Sequence, residues 1–208
     1  MKKLKFLLAI TLCSFPLFSH TIYDAIDTLE FDPAGYFATE GPLDQILRNQ
    51  EIKTVIELGS WAGASTRFFG YRVGKEGTVY AIDHWLGTPD HHGEMTDSRL
   101  SYIYQLFLSN IQQAGLEERV VPLRMNTDEA LKALRHVTAD LIYVDAARDS
   151  TRIHQDILNW YPHLNAGGVI CGTEYREPAV REGVQKAASE LGMQVETNRK
   201  GFFWVLKH

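Results

Sequence analysis

The sequence predicts an α/β chain wound on both faces of a mostly parallel sheet. Three observations carry this. Short apolar runs rich in β-branched residues alternate with helix-patterned stretches from Thr54 to Leu191. The runs are continuous rather than alternating, as in strands covered on both faces. The last two runs, "MQVETN" and "GFFWVLK", flank a tight polar turn with "RKG" at its centre, which is a hairpin signal. Right-handed crossovers then give a doubly wound, three-layer fold that ends in an antiparallel pair.

The elements follow in order. "GPLDQILRN" sets Leu43, Ile46 and Leu47 at helical spacing, so a helix is expected around Gly41–Gln50. Strands are expected over Thr54–Leu58, Thr78–Ile82, Val120–Arg124, Asp140–Val144 and Gly168–Gly172. Helices are expected near Ser65–Tyr71, Arg99–Ala114, Thr127–Leu134, Thr151–Tyr161 and Pro178–Leu191. Gly167–Gly168 reads as the turn that precedes the fifth strand.

Composition narrows the class. The chain has 208 residues, 45% of them hydrophobic, which suits one domain with a sizeable core. No repeat or linker divides residues 21–208, so that span is read as a single domain, with no room for a separate substrate domain. Net charge is −5 and no long basic run follows the first few residues, so no nucleic-acid partner is expected. The two cysteines, Cys13 and Cys171, cannot make a disulfide framework, and no Cys/His zinc spacing exists.

Residues 1–20 differ from the rest. "MKKLK" is a basic start and "FLLAITLCSFPLF" an apolar run of signal-peptide length. Ser19 is a small residue where cleavage could occur. The run is short for a membrane span and broken by Pro16. Leu12 before Cys13 is too large for a lipoprotein signal. The expectation is a signal peptide or N-terminal anchor, hence an exported or periplasmic protein that meets a membrane only through this segment. The alternative is an amphipathic N-terminal helix on a cytoplasmic protein.

The stretch "TVIELGSWAGASTRFF" carries the chemistry. An apolar strand ends in Glu57, and Gly59 and Gly63 bracket Trp61. Both glycines permit positive φ and close backbone approach, and Ser65 can cap the next helix. In an open α/β sheet, ligands sit at the carboxyl ends of the strands. A dinucleotide fingerprint needs a glycine where this chain has Trp61, whose ring would obstruct a pyrophosphate. An acid before the glycines suits a ligand with an ammonium group. The next strand ends at Asp83 in "VYAIDHW", where a carboxylate can accept both ribose hydroxyls. A ligand with a cationic amino-acid end and a ribose is S-adenosylmethionine.

"VIELGSWAGAS", "VYAIDHW", "MNTDEAL", "ADLIYVDAARDS" and "LNAGGVI" together resemble class I S-adenosylmethionine-dependent methyltransferases in order and spacing. The likeness covers about residues 40–205 and is narrower for the small O-methyltransferase-like group with an IDG-x-H-x-Y stretch. It implies a Rossmann-like methyltransferase fold, a seven-stranded sheet of order 3-2-1-4-5-7-6 with strand 7 antiparallel. It also implies roles. Glu57, Gly59 and Gly63, with Ser60, Trp61 and Ser65 of the same turn, line the methionine and ribose end. Asp83 binds the ribose hydroxyls, and His84 and Trp85 flank the adenine. Asn126 and Thr127 reach the adenine edge, and Asp145 closes the site under the sulfonium.

The catalytic candidates are Asp145, Arg148 and Glu174. Metal-dependent relatives place carboxylates at the ends of strands four and five, and Asp145 and Glu174 are the residues here. A magnesium ion fits that pair, but the third ligand is missing and Arg148 and Ser150 replace the histidine and tyrosine of the stretch. The reading therefore favours no metal. The loop His84–Arg99 is long and polar, and His91 or His92 in it could serve as a base. The aromatic segment Thr21–Glu40, with Tyr23, Phe31, Tyr36 and Phe37, is expected to cover the acceptor pocket.

The function expected is methyl transfer to the hydroxyl or carboxylate oxygen of a small-molecule acceptor. The alternative is an exported, non-catalytic methyltransferase-like binding protein. A nicotinamide-dependent oxidoreductase is disfavoured by Trp61. A homodimer is left open.

Overall fold

The computed structural model describes residues 22–33, 37–48, 50–87 and 97–207. The expected signal segment, Tyr36, His91 and His92 lie outside the described residues. The elements are α1 (Glu40–Leu47), β1 (Thr54–Leu58), α2 (Ala64–Arg72), β2 (Thr78–Asp83), α3 (Ile103–Gln113) and β3 (Val120–Arg124). They continue with α4 (Thr127–Ala133), β4 (Ala139–Val144), α5 (Ser150–Trp160), β5 (Leu164–Thr173), α6 (Pro178–Leu191), β6 (Gln194–Thr197) and β7 (Phe203–Lys207).

The strands form one 7-stranded sheet of order β3-β2-β1-β4-β5-β7-β6. β1 pairs in parallel with β2 and β4, while β7 runs antiparallel to β5 and β6. Both the order and the C-terminal hairpin match the expectation.

Side-chain alternation along each strand builds two cores. Val55, Leu141 and Tyr143 pack with buried residues of α1, α2 and α3. Ile56, Leu58, Ile142 and Val144 pack with those of α4, α5 and α6. β1 and β4 are thus apolar on both sides, which is why their runs look continuous in sequence. Leu43, Leu47, Phe69 and Phe107 are fully buried on one side, Ile157 and Val184 on the other. Truncating such a side chain to alanine costs about 2–5 kcal/mol.

Two elements differ from expectation. The helix expected over Arg99–Ala114 is split. A 3-10 turn spans Ser98–Ser101, and α3 starts only after Tyr102, whose φ of −132° breaks the helical path. The Gly167–Gly168 pair lies inside β5, not before it. Ala139 pairs with Leu164 but Leu141 with Val169, so β5 carries an excursion opposite β4. Gly167 supplies the positive φ of 79° that this bulge needs.

β1 lies where the strand order reverses, between β2 and β4. A crevice opens beyond the carboxyl ends of strands at such a point. The ladder runs one residue further there: Gly59 N donates to Ile82 O at 2.8 Å, and Asp145 N donates to Leu58 O at 2.7 Å.

Candidate active site

A cavity of about 520 Å³ occupies this crevice. Ligand pockets of about 300–1,000 Å³ are the usual range for small molecules. Its wall includes Gly59, Ser60, Trp61 and Ser65 from the β1–α2 turn, and Asp83 and His84 from the end of β2. Asn126 and Thr127 come from the β3–α4 turn, Asp145 and Arg148 from beyond β4, and Glu174 from beyond β5. Most of the sequence-derived candidates therefore converge on one cavity.

The β1–α2 turn has three positive φ angles, at Gly59 (89°), Trp61 (44°) and Gly63 (83°). Trp61 is the unusual one, since a bulky residue rarely adopts this region. Asp83 holds it there: Oδ2 accepts from Ser60 N at 3.1 Å and Trp61 N at 2.9 Å. The Trp85 indole adds a second tie, donating from Nε1 to Trp61 O at 2.7 Å.

Asp83 is thus partly engaged within the protein. Oδ1 also accepts from Trp85 N at 2.7 Å. A carboxylate has about four acceptor positions, so three backbone donors leave room for one further bond. The expectation that Asp83 takes both ribose hydroxyls is corrected to at most one of them, unless an amide lets go.

Glu57 needs a larger correction. It is fully buried and does not line the cavity. Ser60 Oγ donates to its Oε2 at 2.8 Å, Ser65 Oγ to Oε1 at 2.5 Å and Thr66 Oγ1 to Oε2 at 2.5 Å. Burial pushes its carboxyl up to about 7, against the pull of the three hydroxyls. Ser65 is corrected with it. Gly63 is the N-cap of α2, and the Ser65 hydroxyl serves Glu57 rather than the helix end. Gly63 itself does not line the cavity; it packs against Phe107 and Ile111.

Trp85 is also a packing residue. It is 2% exposed, lies 4.6 Å from the Tyr104 ring and 4.8 Å from the Phe107 ring, and is absent from the cavity wall. Its own φ of 51° turns the indole into the core. His84 does line the cavity; its Nδ1 accepts from Leu86 N at 3.0 Å.

At the opposite end, Asn126 is the N-cap of α4 in a capping box with Glu129. Thr127 Oγ1 donates to Asp156 Oδ1 at 2.7 Å and accepts from Arg152 Nη2. Its one proton is spent on Asp156, so toward an adenine edge it can only accept. Arg152 bonds Asp128 Oδ2 at 2.7 Å and lies 3.0 Å from Asp156 Oδ1. Asp156 is 1% exposed, burial raises its carboxyl above the ordinary range, and its Oδ2 has no hydrogen-bond partner. Arg152 and Asp156 both line the cavity, and the sequence reading missed them. Their signal was the i, i+4 spacing of opposite charges in "RIHQD".

Asp145 and Glu174 stand just past β4 and β5, the neighbouring strands expected. Desolvation raises the Asp145 carboxyl well above the usual range; Arg148 pulls it down, and Glu57, Glu174 and Asp83 add to the rise. Glu174 is buried, has φ 56°, and lies 3.4 Å from Arg176 Nε. Among the described residues, no group of three or more His, Cys, Asp or Glu side chains is arranged to hold a metal ion.

The aromatic segment before α1 does something other than expected. The Tyr23 hydroxyl donates to Val120 O at 2.9 Å, and Phe37 packs against Phe68, Phe69 and Tyr143. Neither these rings nor Phe31 line the cavity. The segment instead lies along α3 and meets the turn through Asn110, whose Nδ2 donates to Asp32 O and Ala62 O, both at 2.9 Å. Asp32 Oδ2 then lies 3.4 Å from Arg99, a cavity residue outside the sequence reading.

Comparison with known proteins decides the family. Residues 56–175, more than half of the chain, match the family described as a methyltransferase domain. The chain belongs to the methyltransferase domain family. The sheet order and the glycine turn place it in the class I, S-adenosylmethionine-dependent architecture.

The methyltransferase is 28% identical over 153 residues to the protein y4gI of Sinorhizobium fredii (strain NBRC 101917 / NGR234). That match takes in 71% of this chain but only 16% of the relative. Among solved structures, TomG of Streptomyces achromogenes, an O-methyltransferase of tomaymycin synthesis in complex with S-adenosylmethionine, superposes with a TM-score of 0.62 at 16% identity, covering 84% of this chain and 81% of that one. The O-methyltransferase of Bacillus cereus in complex with S-adenosylhomocysteine gives a TM-score of 0.60 at 16% identity, covering 90% and 87%. Likeness at such identities speaks for the fold.

Proposed function

We propose that this methyltransferase binds S-adenosylmethionine in the cavity and moves its methyl group to an oxygen of a small acceptor, a hydroxyl or a carboxylate. The observation that carries this reading is the convergence of the β1–α2 turn, Asp83 and Asp145 on one cavity at the strand-order switch. The amino-acid end lies by Ser60 and Ser65, the ribose by Asp83, and the adenine between His84 and the Asn126–Thr127 turn. The cofactor supplies a methyl group activated on a positive sulfur. The chain's own task is alignment, worth up to about 7–11 kcal/mol in favourable cases.

Asp145 is suited to take the proton of a hydroxyl acceptor. Burial raises its carboxyl above the usual range, which strengthens it as a proton acceptor whenever it is ionised. A positive sulfur beside it favours the ionised form. Oxygen–carbon bond formation and sulfur–carbon bond cleavage then leave S-adenosylhomocysteine, with the proton on Asp145. Arg148 balances Asp145 and can pair with an acidic group of the acceptor. Because this cation stands beside the carboxylate, we write the reaction without a divalent ion.

Calorimetry of the protein with S-adenosylhomocysteine tests the cofactor, and turnover on hydroxyl and carboxylate acceptors tests the chemistry. Absence of binding sinks the reading. Binding without turnover across the panel favours the non-catalytic alternative. Export through residues 1–20 is part of the proposal under either reading and is tested by fractionating cells that express the full chain.

A further inference from the structure

Residues 27–33 form neither helix nor strand, yet their main chain is tied to α3. Gln105 Nε2 donates to Asp27 O at 2.7 Å, Ser109 Oγ accepts from Leu29 N at 2.9 Å, and Gln113 Nε2 donates to Leu29 O at 2.8 Å. These side chains recur at every fourth position, so they form one stripe along the helix. Asn110 stands beside the stripe and is fully buried. Its Oδ1 accepts from Asp32 N at 3.0 Å, and its amide protons go to Asp32 O and Ala62 O, both at 2.9 Å. An amide has two protons to give. A side chain that served the segment alone would stop at Asp32; this one spends its second proton on a residue of the cavity wall.

Ala62 lies between Trp61 and Gly63, both at positive φ. Strained backbone of this kind persists where its surroundings over-determine it. Asp83 holds the amides of the turn and Trp85 holds Trp61 O. Asn110 holds the next carbonyl. Arg67 Nη1 reaches the same oxygen at 3.4 Å while its guanidinium lies over the Phe31 ring at 5.0 Å. Asp32 also meets Arg99, a second wall residue, at 3.4 Å. One short segment thus touches two parts of the wall, although none of residues 22–33 lines the cavity.

We propose that Asn110 is a positioning residue that couples docking of residues 27–33 on α3 to the shape of the β1–α2 turn, so that docking and filling of the cavity favour each other. The inference rests on the reading of the cavity as an S-adenosylmethionine site and adds a control of that site from outside its wall. A ligand that fixes the turn fixes Ala62 O, which pins the Asn110 amide in the orientation the segment needs. Release of the segment lets the amide swing and loosens both Ala62 and Arg99. Such a coupling acts equally in both directions.

The test follows amide exchange of the full-length protein with and without S-adenosylhomocysteine, after calorimetry has measured its binding. Saturating ligand should slow exchange at the Leu29 and Asp32 amides about fivefold or more, a usual size for coupled sites. Amides of β6, at the far edge of the sheet, should not change. Ser109→Ala removes the acceptor of Leu29 N and leaves the turn untouched. By reciprocity it should weaken S-adenosylhomocysteine binding about fivefold or more. Asn110→Asp keeps the size and the acceptor for Asp32 N but sets a carboxylate oxygen against two carbonyls. It should abolish the protection of the segment by ligand and raise KM for S-adenosylmethionine more than it lowers kcat. A purely structural Asn110 would lower Tm in these variants without moving affinity or segment protection. Wild-type segment amides that ignore the ligand, or a folded Ser109→Ala with wild-type affinity, would overturn the inference, and both results stand even where Asn110→Asp does not fold. A wild type that does not bind S-adenosylhomocysteine removes the cofactor reading, and this inference with it.

Discussion

A Cβ placed on Gly59 would lie 2.3 Å from the carbonyl oxygen of Asp145. The β1–α2 turn and the catalytic candidate after β4 are therefore in backbone contact. Real Cβ atoms do not approach backbone this closely, and the φ of 89° adds strain for any L side chain.

Gly59→Ala should accordingly destabilise the protein by about 3 kcal/mol or more, because backbone on both sides must shift. Urea unfolding measures it. A loss below about 1 kcal/mol would show that the turn yields easily.

Asp83→Ala should abolish S-adenosylhomocysteine binding and also loosen the turn, since three backbone amides lose their acceptor. Each lost charged hydrogen bond costs about 1.5–3 kcal/mol. A folded variant with unchanged affinity by calorimetry would remove Asp83 from the site.

Glu57 makes stability depend on pH. Its folded-state value is about 7 against an ordinary 4.5. A raised carboxyl contributes stability that is complete below the lower value and lost as pH rises through the upper one. The cofactor-free protein should therefore weaken between about pH 4.5 and 7, by an amount of order 3 kcal/mol from this group. Glu57→Gln should flatten that part of the profile in thermal unfolding across the range. An unchanged slope would show that Glu57 titrates in the ordinary range.

Arg148 holds the Asp145 carboxyl down, while burial and the neighbouring acids hold it up. If Asp145 is the base, the acidic limb of kcat/KM reports it. Arg148→Met should move that limb to higher pH, by a modest amount because Arg148 is exposed to solvent. Asp145→Asn should lower kcat by about 10²–10⁴-fold. A limb that stays put in Arg148→Met would separate the two residues.

Turnover should survive EDTA, because alignment and Asp145 suffice in the metal-free reaction. Loss on chelation with recovery on magnesium add-back would instead make Asp145 and Glu174 oxygen ligands.

The sequence by itself determined the fold class, the sheet's antiparallel end and the place of the site. Those follow from local signals: continuous β-branched runs, the polar "RKG" turn, and glycines after Glu57. Position along a strand also brought Asp83, Asp145 and Glu174 to the same edge, because parallel strands all end there. Tertiary structure decided which way side chains face and which bonds they spend. Glu57 sits in the right motif but its carboxylate turns into the layer of α2, where three hydroxyls consume it. Trp85 follows a site aspartate yet is drawn into the apolar space beside Phe107. Arg152 and Asp156 join the cavity only because α5 packs beside the start of α4. Hydrogen-bond competition and burial act between residues far apart in sequence, so no local pattern records who wins them.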